Sequence, residues 1–447
     1  MTMLPGQGAG EDPPRRALSE LGLVAGGKLA SLASLILCNF LVARWTIDAG
    51  EYGRYAAGIS LALILDAAIG FPVDISTVRF AAVHPLEPAR VDQLQAAAFR
   101  LKLLLGAGLL AVAALWGERL SPALLGRGAG SGLVAVALLC TAALLLVRST
   151  AVRLQTQGQF GRYAALDGFQ GALRLLAVTV PPLLGHRSAE AFLGAHVVGT
   201  ALAFSVGFWL LPQGYLRAPW PRRRDVREAA VHVGFMAGIL VLGTLTGRSD
   251  VPILASVQSA EEAGQYAVAL QVATLLSMLA SYCSIVMQPR VIQMARAGRL
   301  GALLRWNVVG ATILSAATAA MAPWVLPVLI PGLFGARYAP AVPIAGVLLI
   351  GTCADMFLMP VLMMYSIQVF PALSLAGEIV IALGFFGAVM AGAAHTTMAM
   401  AWLVTSVRLT KLLLYSGISL TDLKRPVDRT GGTKGIVLGA PLDRTEL

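Results

Sequence analysis

Long apolar runs separated by short polar segments dominate the pattern along this chain. Each run is long enough for an α-helix to cross the ~30 Å hydrocarbon core of a bilayer. The pattern predicts an all-α, polytopic membrane protein with twelve spans. In the ninth span, prolines recur at four-residue spacing and predict a broken or kinked helix. The approximate spans are 21–45, 56–80, 99–117, 130–152, 163–185, 189–212, 229–253, 263–288, 303–331, 339–366, 369–391 and 394–418.

Lysines and arginines are distributed unequally between the two ends of these spans. With the N-terminus placed inside, 23 of the 34 basic residues, Lys102 and Arg148 among them, fall on the cytoplasmic side and 6 on the opposite side. Short cytoplasmic loops of membrane proteins carry such an excess. We therefore expect both termini to be cytoplasmic. The N-terminus is not expected to be a cleaved signal, because Arg15 and Arg16 precede an apolar run that is too long.

The longest cytoplasmic link falls midway along the chain and predicts two lobes of six helices. It runs from about Pro212 to Arg227, after the sixth span, and contains three consecutive arginines. The expected organisation is a cytoplasmic tail at 1–20, an N-lobe at 21–212, a basic inter-lobe loop at 213–228, a C-lobe at 229–418 and a disordered cytoplasmic tail at 419–447.

The two halves contain a related motif. EYGRYAA at 51–57 lines up with EAGQYAV at 262–268, an offset of 211, and LLGR at 124–127 echoes LFGA at 333–336, an offset of 209. Both halves begin inside and have an even number of spans, so the motif predicts parallel repeats related by an axis along the membrane normal. The matched pairs are Gly53 with Gly264, Tyr55 with Tyr266, and Asn39 with Asp250.

Short motifs occur in a defined order in both halves. The first half has LVARW at 41–45, GEYGRYA at 50–56, GFP at 70–72 and VRF at 78–80; the second has Asp250, AGQYA at 263–267, Pro289 and LFG at 333–335. This series resembles the polysaccharide transporter (Wzx-type) family of the multidrug/oligosaccharidyl-lipid/polysaccharide (MOP) superfamily, up to about residue 420. The resemblance implies a MATE-like fold. It also implies a flippase that moves a polyprenyl-pyrophosphate-linked oligosaccharide to the outer leaflet.

Composition narrows the alternatives. Hydrophobic residues make up 57% and charged residues 13%, which excludes a set of soluble domains. The net charge of +11 resides in short loops, as the positive-inside pattern requires, so nucleic-acid binding is not expected. There is no P-loop and no HExxH motif, and we expect no cofactor, no metal and no catalytic residues. The four cysteines, Cys38, Cys140, Cys283 and Cys353, are scattered and predict small apolar fillers.

Charged residues inside the spans are the candidate functional residues, because a charge in the bilayer core is unfavourable unless it faces a cavity or a partner. Five cations are candidates for binding substrate in a cavity: Lys28, Arg174, Arg248, Arg408 and Lys411. Five acids are candidates for ion coupling or for a role as counter-ions: Asp66, Asp74, Asp250, Asp355 and Glu378.

Several of these residues have two interpretations. Arg174, with Asp167 and Gln170 on its face, either contacts a phosphate or glycan, or is neutralised by an acid of a neighbouring helix. Arg408 and Lys411 lie on one face of span 12 and either bracket a pyrophosphate or extend to the inner interface. For Lys28 the same choice is open, and for Arg248 the interfacial position is favoured.

The resulting prediction is a transporter rather than an enzyme, in a bacterial inner membrane, acting as a monomer by alternating access between the lobes. Its expected partners are the lipid-linked oligosaccharide, membrane lipids and other polysaccharide-assembly proteins. Two alternatives remain: an ion-coupled drug/cation antiporter of the same superfamily, and a membrane polymerase or ligase acting on lipid-linked glycan. The central arginines argue against the antiporter, and the absence of a long outer loop argues against the enzyme.

Overall fold

The computed structural model describes residues 13–84, 86–126, 129–211, 215–277, 300–367 and 371–423. Within these residues, the regular structure is α-helical apart from two 3₁₀ turns, Tyr215–Arg217 and Ala336–Tyr338. The helices are α1 (Pro13–Trp45), α2 (Ala49–Val83), α3 (Pro88–Leu125), α4 (Ser131–Thr156), α5 (Phe160–Leu183), α6 (Ala189–Trp209), α7 (Arg223–Arg248), α8 (Asp250–Val257), α9 (described over 260–277), α10 (Leu300–Phe334), α11 (Ala341–Ile367), α12 (Pro371–Met390) and α13 (Thr397–Leu423).

The predicted all-α membrane fold is confirmed, and each of the twelve predicted spans overlaps a described helix. Eight helices among the described residues are long and apolar enough to cross a membrane. Several helices begin earlier than the predicted spans. For example, α2 begins at Ala49 and not at 56, because the Asp48 side chain caps it and accepts a hydrogen bond from Glu51 N at 2.7 Å. The predicted tail at 419–447 lies largely outside the described residues.

The predicted broken or kinked ninth span is not broken, because α10 is continuous through Pro323, Pro327 and Pro331; a kink there stays a prediction. The interruption occurs in the seventh span, between α7 and α8. There, Pro252 cannot donate to the carbonyl of the residue four before it, and Asp250 Oδ1 accepts the Val251 N–H at 2.9 Å. A side chain that competes for a backbone donor beside a proline ends the helix.

The repeat extends to individual hydrogen bonds. Tyr55 Oη donates to Asn39 Oδ1 at 3.3 Å, and Tyr266 Oη donates to Asp250 Oδ2 at 2.9 Å. Two threonines 211 residues apart also make matching bonds: Thr141 to the carbonyls of Ala62 and Ala137, and Thr352 to those of Ala273 and Leu348. The same tertiary bonds thus recur at the offset of the sequence motif in the two halves of the chain, for which we keep the names of the predicted N-lobe and C-lobe.

The lobes meet in backbone contact at the end of the bundle where α1 ends and α2 begins, which we call the far side. A Cβ atom at Gly53 would lie 1.8 Å from Ala260 O, and one at Gly264 would lie 2.0 Å from Ala49 O. The starts of α2 and α9 therefore cross at a distance that only glycine permits. Gly53 and Gly264, the matched glycines of the repeat, therefore allow the close backbone contact between the lobes.

Two arginines fasten the far side, and we call Arg44 and Arg337 the far-side clasp. Arg337 of the C-lobe donates to the carbonyls of Ala43 and Ile47 at the end of α1, the latter at 2.9 Å. In return, Arg44 of the N-lobe donates to the Leu333 carbonyl at the end of α10 at 3.2 Å. Each cation thus lies at the C-terminal end of a helix of the opposite lobe, where the helix dipole favours positive charge.

The opposite end of the bundle carries the link between the lobes, and we call it the connector side. Here Arg90 at the start of α3 pairs with the buried Asp225 of α7. Arg100 of α3 donates to the Leu216 carbonyl and lies over the Trp220 ring at 5.2 Å. The described part of the link is therefore anchored to the N-lobe.

Candidate functional site: charged residues between and within the lobes

Charged residues lie deep along the helices of both lobes. At 1.5 Å per residue, Arg408 is about 16 Å along α13 from its far-side end and Lys411 about 21 Å. Asp66 in α2 and Arg148 in α4 are each about 26 Å from the far-side ends of their helices. These positions place fixed charges well inside the helical bundle.

In the C-lobe, both cations of α13 pair with acids of neighbouring helices. Arg408 Nη1 lies 3.2 Å from Asp355 Oδ2 of α11. Lys411 Nζ lies 2.9 Å from Glu378 Oε2 of α12, and Glu378 Oε1 accepts a hydrogen bond from Tyr415 Oη at 3.0 Å. The repulsion between two cations one turn apart is thus relieved by one acid for each.

In the N-lobe, the corresponding pairs involve two cations that the charge count had assigned to cytoplasmic segments. Arg148 Nε lies 2.9 Å from Asp66 Oδ2, and its guanidinium lies over the Phe71 ring at 4.8 Å. Lys102 of α3 is buried and pairs with Asp74 of α2. The assignment of these two cations to the loops is therefore corrected.

Two cations lie on opposite sides of the interface between the lobes. Arg148 belongs to the N-lobe and Arg248 to the C-lobe, and Arg248 lies within electrostatic reach of Arg148, more weakly than of Asp250. The Arg148 side chain is 34% exposed, and Arg248 is exposed although it lies at the break in the seventh span. We call this pair the cationic gap. Asp250 lies within electrostatic reach of both Arg248 and Arg408. It therefore lies between the cationic gap and the ion pairs of α13.

Arg174 is separate from the cationic gap. It is buried in α5, where its Nη2 donates to Ser31 Oγ of α1 at 3.3 Å. Its electrostatic neighbours, among them Asp167, are N-lobe residues. The structure therefore does not bring Arg174 together with Arg408 and Lys411.

Most of the predicted site residues are described, and their roles stay predictions. Lys28 lies in α1, but its side chain is outside the described residues, as is Cys283. Cys38, Cys140 and Cys353 are free thiols.

Arg148, which pairs with Asp66, was not among the predicted site residues, although it falls within the predicted fourth span. Among the described residues, no group of three or more histidines, cysteines and acids is placed to hold a metal ion.

Several solved transporter structures have a similar arrangement of helices. The chain is similar to a lipid II flippase, MurJ, in an inward closed conformation, with a TM-score of 0.71 and 13% identity over 88% of this chain and 87% of the other. It is also similar to an inward-facing multidrug resistance MATE family transporter of the MOP superfamily, with a TM-score of 0.68 and 13% identity over 89% and 96%. No family model and no curated protein matches the sequence.

A third similar structure is a MOP superfamily transporter from Pyrococcus furiosus whose binding pocket is described as having reversed polarity, with a TM-score of 0.63 and 14% identity over 91% and 96%. An outward-facing MATE transporter gives a TM-score of 0.61, below the 0.68 of the inward-facing one. At identities this low the likeness is one of fold. The chain therefore has the fold of the MOP-superfamily transporters.

Proposed function

We propose that the protein is a flippase that moves a polyprenyl-pyrophosphate-linked oligosaccharide across a bacterial inner membrane for surface polysaccharide biosynthesis. The observation that supports this most is the cationic gap. Arg148 and Arg248 belong to opposite lobes and both keep accessible surface, and a dianion between them would add negative charge to that of Asp66, which pairs with Arg148, and of Asp250, which lies within reach of Arg248. A pyrophosphate is a doubly charged anion whose oxygens match the donor geometry of two guanidinium groups.

The lipid-linked substrate has three parts with different solvation needs. The diphosphate would lie between Arg148 and Arg248, and the glycan would occupy the hydrated space beside them. The polyprenyl tail would stay in the lipid. Such a path avoids moving charge and sugar hydroxyls through hydrocarbon, which is strongly unfavourable.

Translocation then requires the protein to alternate between a state closed on the far side and a state closed on the connector side. In the present structure the far side is closed by the repeat glycines and by the clasp of Arg44 and Arg337. Opening toward the outer leaflet would separate these contacts. In the orientation that we propose, the connector side and both termini are cytoplasmic, as the excess of basic residues predicts. The protein would act as a monomer, with membrane lipids and other polysaccharide-assembly proteins as partners.

The paired acids support a role as counter-ions. Asp66, Asp355 and Glu378 each pair with a cation, so a free ion would have to displace that cation in order to bind. Asp250 differs because its carboxylate accepts hydrogen bonds from Tyr266 and from a backbone N–H. It is therefore the acid that we propose for any ion coupling.

The second candidate function is an ion-coupled drug/cation antiporter. Its support is the likeness of fold to MATE transporters together with the intramembrane acids. A lipophilic cation would, however, meet two arginines in the cationic gap, and this arrangement favours an anionic substrate.

Binding measurements on the purified protein test the proposal. Native mass spectrometry should detect a bound short-chain polyprenyl diphosphate and weaker binding of the uncharged prenol. Arg148→Gln and Arg248→Gln should each weaken diphosphate binding about tenfold, because each removes a charge-assisted contact worth about 1.5 kcal/mol or more. Arg162→Gln, an exposed arginine of α5, is the matched control.

Two results would contradict the proposal. One is equal binding of the diphosphate and the prenol. The other is binding of a lipophilic cation in preference to the diphosphate, which would favour the antiporter.

A further inference from the structure

A buried arginine within the N-lobe has no ion pair among the described residues. Arg174 is 7% exposed, and its Nη2 makes one hydrogen bond, to a serine hydroxyl. Its Nε is buried and has no acceptor. Asp167, two turns earlier on α5, lies within electrostatic reach, but no ion pair within 4.0 Å joins it to Arg174. A guanidinium in such a place is unfavourable unless an anion accompanies it.

Polar groups from four other helices surround this guanidinium. They are Cys38 of α1, Tyr55 of α2, Cys140 of α4 and His196 of α6, all buried and all within its electrostatic reach. None of these four side chains is an acid, and Asp167, which lies within electrostatic reach, makes no ion pair with Arg174. The guanidinium is therefore buried without an acid in direct contact among the described residues.

The packing of α6 on α5 places His196 beside Arg174. A Cβ atom at Gly199 would lie 2.7 Å from the Arg174 Cα, so the two helix backbones touch at this level. His196 is one turn before Gly199 on the same face of α6. Its Nδ1 is buried and has no hydrogen-bond partner. Arg174 Nε and His196 Nδ1 are thus two buried nitrogens on adjacent helices that have no hydrogen-bond partner among the described residues.

We propose that a small monovalent anion, chloride under cellular conditions, binds within the N-lobe between Arg174 and His196. An anion accepts the free Nε–H of Arg174 and neutralises its charge, and it accepts an N–H from the histidine when Nδ1 carries the proton. A water molecule would satisfy the donors but would leave the charge of the guanidinium uncompensated. The site is separate from the cationic gap and does not depend on the transported substrate.

Thermal unfolding of the purified protein tests this site. At constant ionic strength, replacing gluconate with chloride or bromide should raise the Tm by about 3 °C or more with saturation, since the ligand stabilises the folded state. Arg174→Gln should abolish this dependence. Arg148→Gln is the matched control, because it removes a cation of the cationic gap and should retain the dependence.

Anomalous diffraction from crystals of the unaltered protein with bromide is a second test, and it needs no variant. A bromide peak beside Arg174 Nε supports the site. Three results would overturn it: no peak there, a peak confined to the gap between Arg148 and Arg248, or a Tm that responds equally to chloride in the parent and in Arg174→Gln.

Discussion

The far-side clasp determines how stable the closed far side is, and Arg337→Gln is the change that weakens it most simply. The guanidinium of Arg337 donates to the carbonyls of Ala43, Thr46 and Ile47 at the end of α1. Glutamine keeps a polar side chain but removes the charge and most of these donors. We expect the population of molecules with an open far side to increase.

The size of the effect follows from these contacts. Three hydrogen bonds at about 1 kcal/mol each would contribute about 3 kcal/mol. Arg337 is only half-buried, and water replaces part of the loss, so about 2 kcal/mol remains. This corresponds to a shift of about 30-fold in the equilibrium between the closed and open far side.

Electron–electron resonance distances between spin labels measure this equilibrium. Labels at Arg119→Cys in α3 and His395→Cys before α13 are exposed and report the separation of the two lobes on the far side. The background lacks the native cysteines. Arg337→Gln should add a population at longer distance, and Arg187→Gln, an exposed far-side arginine, should not. If Arg337→Gln and its parent give superimposable distance distributions, Arg337 does not stabilise the closed far side.

Three further predictions concern packing, ion pairs and topology. Gly53→Ala should lower the Tm or open the far side, because its Cβ would collide with the Ala260 carbonyl; the same distance measurement and a melting curve detect this. Glu378→Gln alone should lower the stability by about 3 kcal/mol or more, whereas the double variant with Lys411→Gln should lose less than the sum of the single changes; additive losses in a denaturation cycle would contradict the ion pair. Single cysteines at positions 220 and 430 should resist an impermeant thiol reagent in intact cells, and labelling of either would contradict the cytoplasmic orientation.

The sequence was sufficient to predict the elements that repeat. The offset of 211 between the EYGRYAA and EAGQYAV motifs recurs in the hydrogen bonds of Tyr55 and Tyr266, because the same residues pack in the same way in both lobes. Apolar length located the spans, since the bilayer imposes it. The contact of Gly53 with the other lobe could not be read from the motif, because a glycine pattern does not reveal what approaches it.

The pairing of charges could not be predicted, because it depends on which helix faces interact. Arg148 and Lys102 were counted with the loops since they stand near the ends of apolar runs, yet α3 and α4 continue beyond those runs. Helices that extend past the apolar stretch bring such residues into the bundle, where Asp66 and Asp74 meet them. The break in the seventh span escaped notice because a single proline beside an aspartate is a weaker signal than three prolines in α10.

Translocation of a lipid-linked oligosaccharide by the purified protein is the direct test of the proposed flippase activity. The protein is reconstituted into liposomes with a fluorescent polyprenyl-diphosphate-linked oligosaccharide, and an impermeant quencher measures the label that becomes accessible. We expect rapid exposure of inner-leaflet label with the parent protein and with Arg119→Gln. The rate should be at least about tenfold lower for the double variant Arg148→Gln/Arg248→Gln. No exposure with the parent protein, or an unchanged rate in the double variant, would contradict the proposal.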